Sequence, residues 1–580
     1  MIPSRSLAAA MAALLWTAPA AAAVKNPDTF VYAIVGEADS LDPAWHYDGI
    51  SHEVLFQTYE TLIFFAGAAV DRFEPMLATS VPSRENGLLS ADGLTYTFPL
   101  RAGVKFHDGR LMTPEDVRYS LQRFLLLDRV GGPSTLLLEP LLGRYSVRGP
   151  DGRPAPGIYK EVQDAVRLEG GALVLRLKNP SPVLLSVLAA HCPITSKAFT
   201  IAGGGWDGNE ASWVSKMNPA KKDSALYDRS NGTGPFKLER WDKTARVVIL
   251  SRHEGYWRKP AALKYVVFKT VPEAGARKQM LQAGDADAAY VERQNLPQYA
   301  GLPGVRIVDD LPFLEVSNVF IPSFKLSMED NPYVGSGKLG GGIPANFFAD
   351  LDVRKAMAYA FDYDAYIRDG YRGKAVRARG PIPRGLPGYN ARQKPWPHDL
   401  AKAAAHFKKA FQGRVWEEGF RFTVVYLEGR SDRQLACAIL KSRVEALNPK
   451  FKIDILAMPW SEISQKNQKG SIPLSPSRWS LDIADAHNGA QPFLHSQGHY
   501  GQRQGYHNPK ADALIEEAWA QRDPAKRQAL YARLQALAQE DLPQFYTVDS
   551  YNLQVRRTWV KGWYYNPMVV HGYLYPVSKR

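Results

Sequence analysis

The chain has 580 residues, 45% hydrophobic and 11% aromatic, which excludes a disordered polypeptide and, at about 150 residues per domain, suggests three or four domains. The net charge of +14 invites a nucleic-acid reading, but Lys and Arg are spread along the chain without a block of like charge, as on a solvated basic surface. Cys192 and Cys437 lie among apolar neighbours, the setting of free buried thiols rather than of a disulfide framework.

Residues 1–23 have the form of a secretory signal. Arg5 gives a positive start, residues 7–16 form an apolar run too short to span a bilayer, and Ala21-Ala22-Ala23 offers a small-residue cleavage site. No Cys follows the apolar run, so no lipid anchor is expected, and no later stretch is long and apolar enough for a membrane span. The expectation is a soluble protein of the Gram-negative periplasm, cleaved near Ala23, for which DNA is a still poorer partner.

After the signal, residues 30–34 predict a strand that Leu41-Asp42-Pro43 breaks, and Tyr59-Glu60-Thr61-Leu62 is expected on a helix. In residues 90–121, Asp92-Gly93 turns the chain into an alternating strand, Leu94, Tyr96, Phe98 and Leu100, where Pro99 marks an edge or an end. Asp108-Gly109 turns it again, and Thr113-Pro114-Glu115-Asp116 starts a capped helix with Val117, Leu121 and Phe124 on one face. Residues 146–162, rich in Gly, Pro and charge, predict an extended surface loop.

Further on, Gly232-Thr233-Gly234-Pro235-Phe236 is a Gly-rich turn into a hairpin, with more strand at residues 265–271. Residues 273–283 predict a helix ended by Gly284, and residues 286–291 a strand. Asp352 is expected to cap a helix with Val353, Ala356, Met357 and Ala360 on one face. Asp485 reads as a cap for a following helical turn. Asn508-Pro509 and Asp523-Pro524 start helices, and Leu542-Pro543 stops the second.

The run DGLTYTFPLRAGVKFHDG with Leu111-Met112-Thr113-Pro114-Glu115-Asp116-Val117 resembles the signature of the family 5 extracellular solute-binding proteins, the oligopeptide, dipeptide and nickel receptors of ABC importers. The LDP and YETL strings, Gly232–Phe236, His253-Glu254-Gly255-Tyr256-Trp257, Gln282-Ala283-Gly284-Asp285 and the helix from Val353 to Asp362 also resemble that family. The likeness spans residues 30–576. It implies an α/β, two-lobed periplasmic-binding-protein clamshell of type II, cluster C-like, with an extra subdomain inserted in the first lobe. On this reading lobe I comprises residues 24–65, 192–310 and 547–580, the insertion residues 66–191, and lobe II residues 311–546. The chain then crosses between lobes near Pro312 and near Tyr546, which makes a hinge.

The resemblance also implies a ligand between the lobes. Peptide-binding members carry an aromatic residue and, three positions on, an aspartate that takes the peptide's α-ammonium. Trp479 and Asp482 fall on those positions, with Ser480 between them, and an ionised carboxylate is the right acceptor for an ammonium. The expected function is a monomeric receptor that hands a di- or oligopeptide to an ABC permease, with no cofactor and no metal. Alternatives on the same scaffold are an opine, a sugar, a nickel chelate or haem as ligand.

Two rivals start from other residues. His487, His495, His499 and His507 sit in one stretch, but Gly498, Gly501 and Gly505 predict loop and no familiar ligand set is completed, so surface histidines are expected. A secreted enzyme would need a catalytic motif. His52-Glu53 lacks the second zincin His, and no GxSxG elbow or CxxC occurs. The letters GxGxxG at Gly335–Gly340 lack a strand–turn–helix context and read as a flexible loop.

Overall fold

The computed structural model describes residues 24–149, 151–521, 523–569 and 572–580; the expected signal lies outside them. Among the described residues no helix is long and apolar enough to cross a membrane.

Two large mixed sheets carry the architecture. One has seven strands, in the order Val305–Leu311, Asn552–Arg557, Ala288–Ala289, Thr29–Ile34, Tyr265–Thr270, Val247–Arg252 and Phe236–Asp242. The other has six, in the order Ala375–Arg377, Phe545–Ser550, Glu315–Pro322, Leu474–Ser480, Phe420–Leu427 and Phe451–Met458. Each sheet has its own apolar core, one built around Phe30, Phe236 and Val266, the other around Phe320, Phe420 and Phe451. A third, three-stranded antiparallel sheet lies within the expected insertion, with Thr95–Phe98 at its edge as Pro99 predicts. Helix Pro114–Leu127 packs against that sheet, and Thr113 and Asp116 close a reciprocal capping box at its start.

Among the described residues two connections join the large sheets. The chain leaves the seven-stranded sheet at Leu311 and enters the six-stranded one at Glu315; it returns between Ser550 and Asn552. The return therefore lies at Tyr551 and not near Tyr546, because Phe545–Ser550 is hydrogen-bonded into the six-stranded sheet beside Glu315–Pro322.

The short strings singled out in the sequence meet in space. Glu60 is buried and accepts hydrogen bonds from the Thr233 hydroxyl (2.8 Å), the Tyr256 hydroxyl (2.7 Å) and the Trp257 indole (2.8 Å). Gly232 is required there, since a Cβ would stand 2.1 Å from the Thr58 carbonyl oxygen. Asp42 forms a two-point ion pair with Arg123 of helix Pro114–Leu127, at 2.7 and 2.5 Å, which ties the insertion to the first sheet.

Several local expectations differ. Helix Gly49–Thr58 ends before Tyr59, which turns extended so that Glu60 can reach its three donors. The loop beginning at Ser146 stops at Gly157, where helix Ile158–Ala165 begins with Ile158 and Val162 buried. Asp350, not Asp352, caps helix Leu351–Ala360, accepting from the Asp352 and Val353 amides. The strand expected over residues 286–291 shrinks to Ala288–Ala289. Cys192 and Cys437 are free and buried in separate cores.

Candidate functional site

A cleft of about 230 Å³ opens where the two large sheets face each other, lined from both sides. Trp479, Ser480 and Asp482, the residues expected from sequence, all line it. They stand at the end of strand Leu474–Ser480 and just beyond, where the chain leaves the sheet for helix Ala486–Leu494. Asp485 caps that helix, accepting from the His487 amide, and pairs with Arg527 at 2.8 Å.

Asn488, on the first turn of the same helix, organises the segment. Its carbonyl oxygen accepts from the Asp482 amide (2.7 Å) and the Trp479 indole (3.1 Å), while its amide donates to the Asp482 carboxylate (3.0 Å). The Tyr47 hydroxyl, from the loop before helix Gly49–Thr58, donates to the same carboxylate across the cleft at 2.8 Å. The His191 imidazole lies 2.9 Å from the Asp482 carbonyl and 3.8 Å from its carboxylate. Asp482 is 9% exposed, and burial raises its carboxyl above the usual range against the pull of His191, Asn488 and Tyr47. Ser480 donates to Glu315 at 3.1 Å, so its hydroxyl serves the cleft wall.

Two features of the cleft had no motif. On the first-sheet side three imidazoles form a stack, His46 on His52 at 5.4 Å and His52 on His191 at 4.8 Å. Burial drives His46 down to about 3 and the other two below the ordinary range, so it disfavours a proton on each of the three rings. On the other side stand Arg430, Arg433 and Arg478. Arg430 pairs with Asp432 at 2.8 Å and Arg478 with Glu315 at 3.2 Å. Arg433 is 5% exposed, and its guanidinium has no carboxylate within ion-pair distance among the described residues. Burial and then Arg430 push it down to about 10. It does carry a sequence signal: Arg433, Ala436, Cys437, Leu440 and Val444 make one buried stripe of helix Ser431–Glu445, with an arginine on an otherwise apolar face.

The histidine-rich stretch is not a loop of surface histidines. His487 and His495 are buried, and Gly498 separates helix Ala486–Leu494 from helix His499–Gln504. His487 meets Glu139 of the insertion at 2.9 Å, His499 accepts from Arg503 at 2.7 Å, and His507 is exposed. His487, His495 and His499 turn to different partners, and among the described residues no three His, Cys, Asp or Glu side chains come together to hold a metal.

Among known proteins, the model of the bacterial extracellular solute-binding proteins, family 5 Middle, matches residues 72–501. The chain is 25% identical to Heme-binding protein A of Haemophilus influenzae, over 95% of this chain and 92% of that one. It is 24% identical to the probable D,D-dipeptide-binding periplasmic protein DdpA of Escherichia coli, over 95% and 94%. Its fold is that of the periplasmic binding protein DppA of Helicobacter pylori, solved with the peptide STSA. The TM-score there is 0.72 at 23% identity, covering 95% of this chain and 98% of the other.

Proposed function

Because the chain belongs to the bacterial extracellular solute-binding proteins of family 5, we propose that its cleft captures a short peptide in the periplasm and delivers it to an ABC permease. The carrying observation is a buried carboxylate and a buried guanidinium lining one cleft, Asp482 and Arg433, the latter with no carboxylate within ion-pair distance among the described residues. Asp482 accepts the peptide's α-ammonium, and Arg433 takes its α-carboxylate through the two-pronged geometry a guanidinium offers. Trp479 and Tyr47 wall the ammonium end, their rings edge to face at 5.6 Å.

The volume supports a small ligand. At about 230 Å³ the cleft lies below the roughly 300–1,000 Å³ of pockets for drug-sized molecules, which favours two or three residues over a long peptide or a porphyrin. The two adjacent connections at residues 312–314 and at Tyr551 serve as the hinge, and ligand contacts on both walls favour the closed state. We take the protein to be an exported monomeric receptor that returns its ligand unchanged. Mass spectrometry of protein purified from periplasm without denaturation tests this. Intact di- or tripeptides are the expected occupants; a porphyrin, a nickel complex or a sugar would overturn the reading.

A further inference from the structure

We propose that a small cavity continuing from the cleft behind Arg433 is a second carboxylate pocket, so that the protein prefers short peptides whose C-terminal residue is acidic. The proposal rests on the peptide reading above. The cavity shares Arg433, Trp460, Ser477 and Tyr500 with the main cleft and extends to Arg503 and Gln504.

Its size selects a small polar group. It measures about 30 Å³, and one water needs about 10–15 Å³, so it has room for a carboxylate or an amide but not for a ring. Its lining is partly polar: besides Arg433 and Arg503 it includes the Tyr500 and Ser477 hydroxyls, hydrogen-bonded to each other at 3.0 Å.

Its charge selects between carboxylate and amide. Two guanidiniums line it, and the nearby acids are taken, Asp432 by Arg430 and Glu315 by Arg478. Arg503 instead donates to the imidazole of His499, at 2.7 Å. Burial lowers both Arg503 and His499, and the charges of Arg503 and Arg129 press His499 down further, so this bond carries no compensating negative charge. Arg129, from the insertion, lines neither cavity; Asp39 and Asp48 act on it, it lies over the Trp45 ring at 4.1 Å and it donates to the Trp45 carbonyl at 2.7 Å. Arg433 is buried and Arg503 half-buried, and a cation withdrawn from water without a matching charge is costly. A ligand with one carboxylate satisfies Arg433 and leaves Arg503 unmatched; a second carboxylate in the side cavity satisfies both.

The test compares Ala-Glu with Ala-Gln, peptides of equal length and shape that differ in the second charge. Calorimetry on the wild-type protein should give a dissociation constant for Ala-Glu about thirtyfold lower than for Ala-Gln, the low end of the effect of removing one member of a desolvated charge pair, as suits the half-buried Arg503. Arg503→Gln should shrink that ratio to within about threefold, whereas a truncation that only loosened the fold would weaken both peptides alike. Equal wild-type affinities would overturn the acidic preference and leave peptide capture standing. Failure of both peptides to bind would remove the peptide reading and this proposal with it. An unchanged ratio in folded Arg503→Gln would remove Arg503 from the pocket. The wild-type comparison needs no variant, so it decides even where Arg503→Gln does not fold.

Discussion

Replacing Asp482 with Asn removes one negative charge and little volume, which makes it the sharpest probe of the cleft. Asp482 is 9% exposed, and its carboxylate already accepts from Tyr47 and Asn488. A carboxylate has about four acceptor positions, so room remains for an ammonium. The adjacent His191 is held below its ordinary range, by burial first, which disfavours its charged form. The ligand's ammonium is then the matching charge, and the substitution leaves it buried and alone. That loss costs about 3–5 kcal/mol, or roughly two to three and a half decades in dissociation constant. The same pair at an exposed site would be worth about 0–1 kcal/mol, so the size of the effect reports burial as well as contact. Calorimetry of wild type and Asp482→Asn with Ala-Ala and N-acetyl-Ala-Ala measures both. Acetylation should weaken wild-type binding by the same two or more decades and change little in the variant. Equal wild-type affinity for the two peptides would refute the ammonium role of Asp482.

Three further outcomes are expected. Because burial raises the Asp482 carboxyl and only its ionised form holds an ammonium, affinity should fall as pH drops through that raised value; calorimetry across pH should find the loss beginning above the ordinary carboxylate range and absent in Asp482→Asn. Tyr47→Phe removes a cross-cleft hydrogen bond to a charged acceptor, worth about 1.5–3 kcal/mol, so small-angle scattering of unliganded protein should show a larger radius of gyration; an unchanged radius would sink the idea that this bond helps hold the lobes closed. His46 is depressed from 6.5 to about 3, by burial first, so the unfolded chain takes a proton that the folded one refuses, and stability is lost progressively as pH falls from 6.5 towards 3. Every tenfold weakening of proton binding on folding is worth about 1.4 kcal/mol, and denaturant melts of His46→Gln should be flatter over that window than those of wild type.

Much of the fold was legible because its signals are local. The turn at Asp92-Gly93, the box at Thr113 and Asp116, and the Asn508 and Asp523 caps each depend on residues a few positions apart. The differences arise where a distant partner decides. Tyr59 leaves its helix because Glu60 must meet Thr233, Tyr256 and Trp257, and nothing within ten residues announces that hub. The return connection lies at Tyr551 because a strand pairing between Ser317 and Val548 outlasts the expected boundary.

The site divides the same way. Trp479, Ser480 and Asp482 are legible through a resemblance confined to one short stretch. Tyr47, His191 and Arg433 come from a loop, the end of one helix and the first turn of another, far apart in sequence, and only the meeting of the two sheets makes them neighbours. Arg433 alone had a usable signal, its place on an apolar stripe. The buried histidines read as surface residues because Gly498, Gly501 and Gly505 suggest loop, whereas Gly498 and Gly505 flank a short helix that contains Gly501.

The two connections have a consequence for how the chain could be cut and rejoined. Residues 315–550 enter and leave their sheet on paired strands, with the Ser317 and Ser550 hydroxyls 2.9 Å apart, while Leu311 stands opposite Asn552 in the other sheet. Both bodies therefore present their cut ends side by side. A short turn joining Leu311 to Asn552 would close the first body into a continuous chain, and the excised segment could be transplanted between relatives as a cassette. Ligand preference would then travel in two separable halves: Asp482, Arg433 and Arg503 with the cassette, Tyr47 and the histidine stack with the recipient.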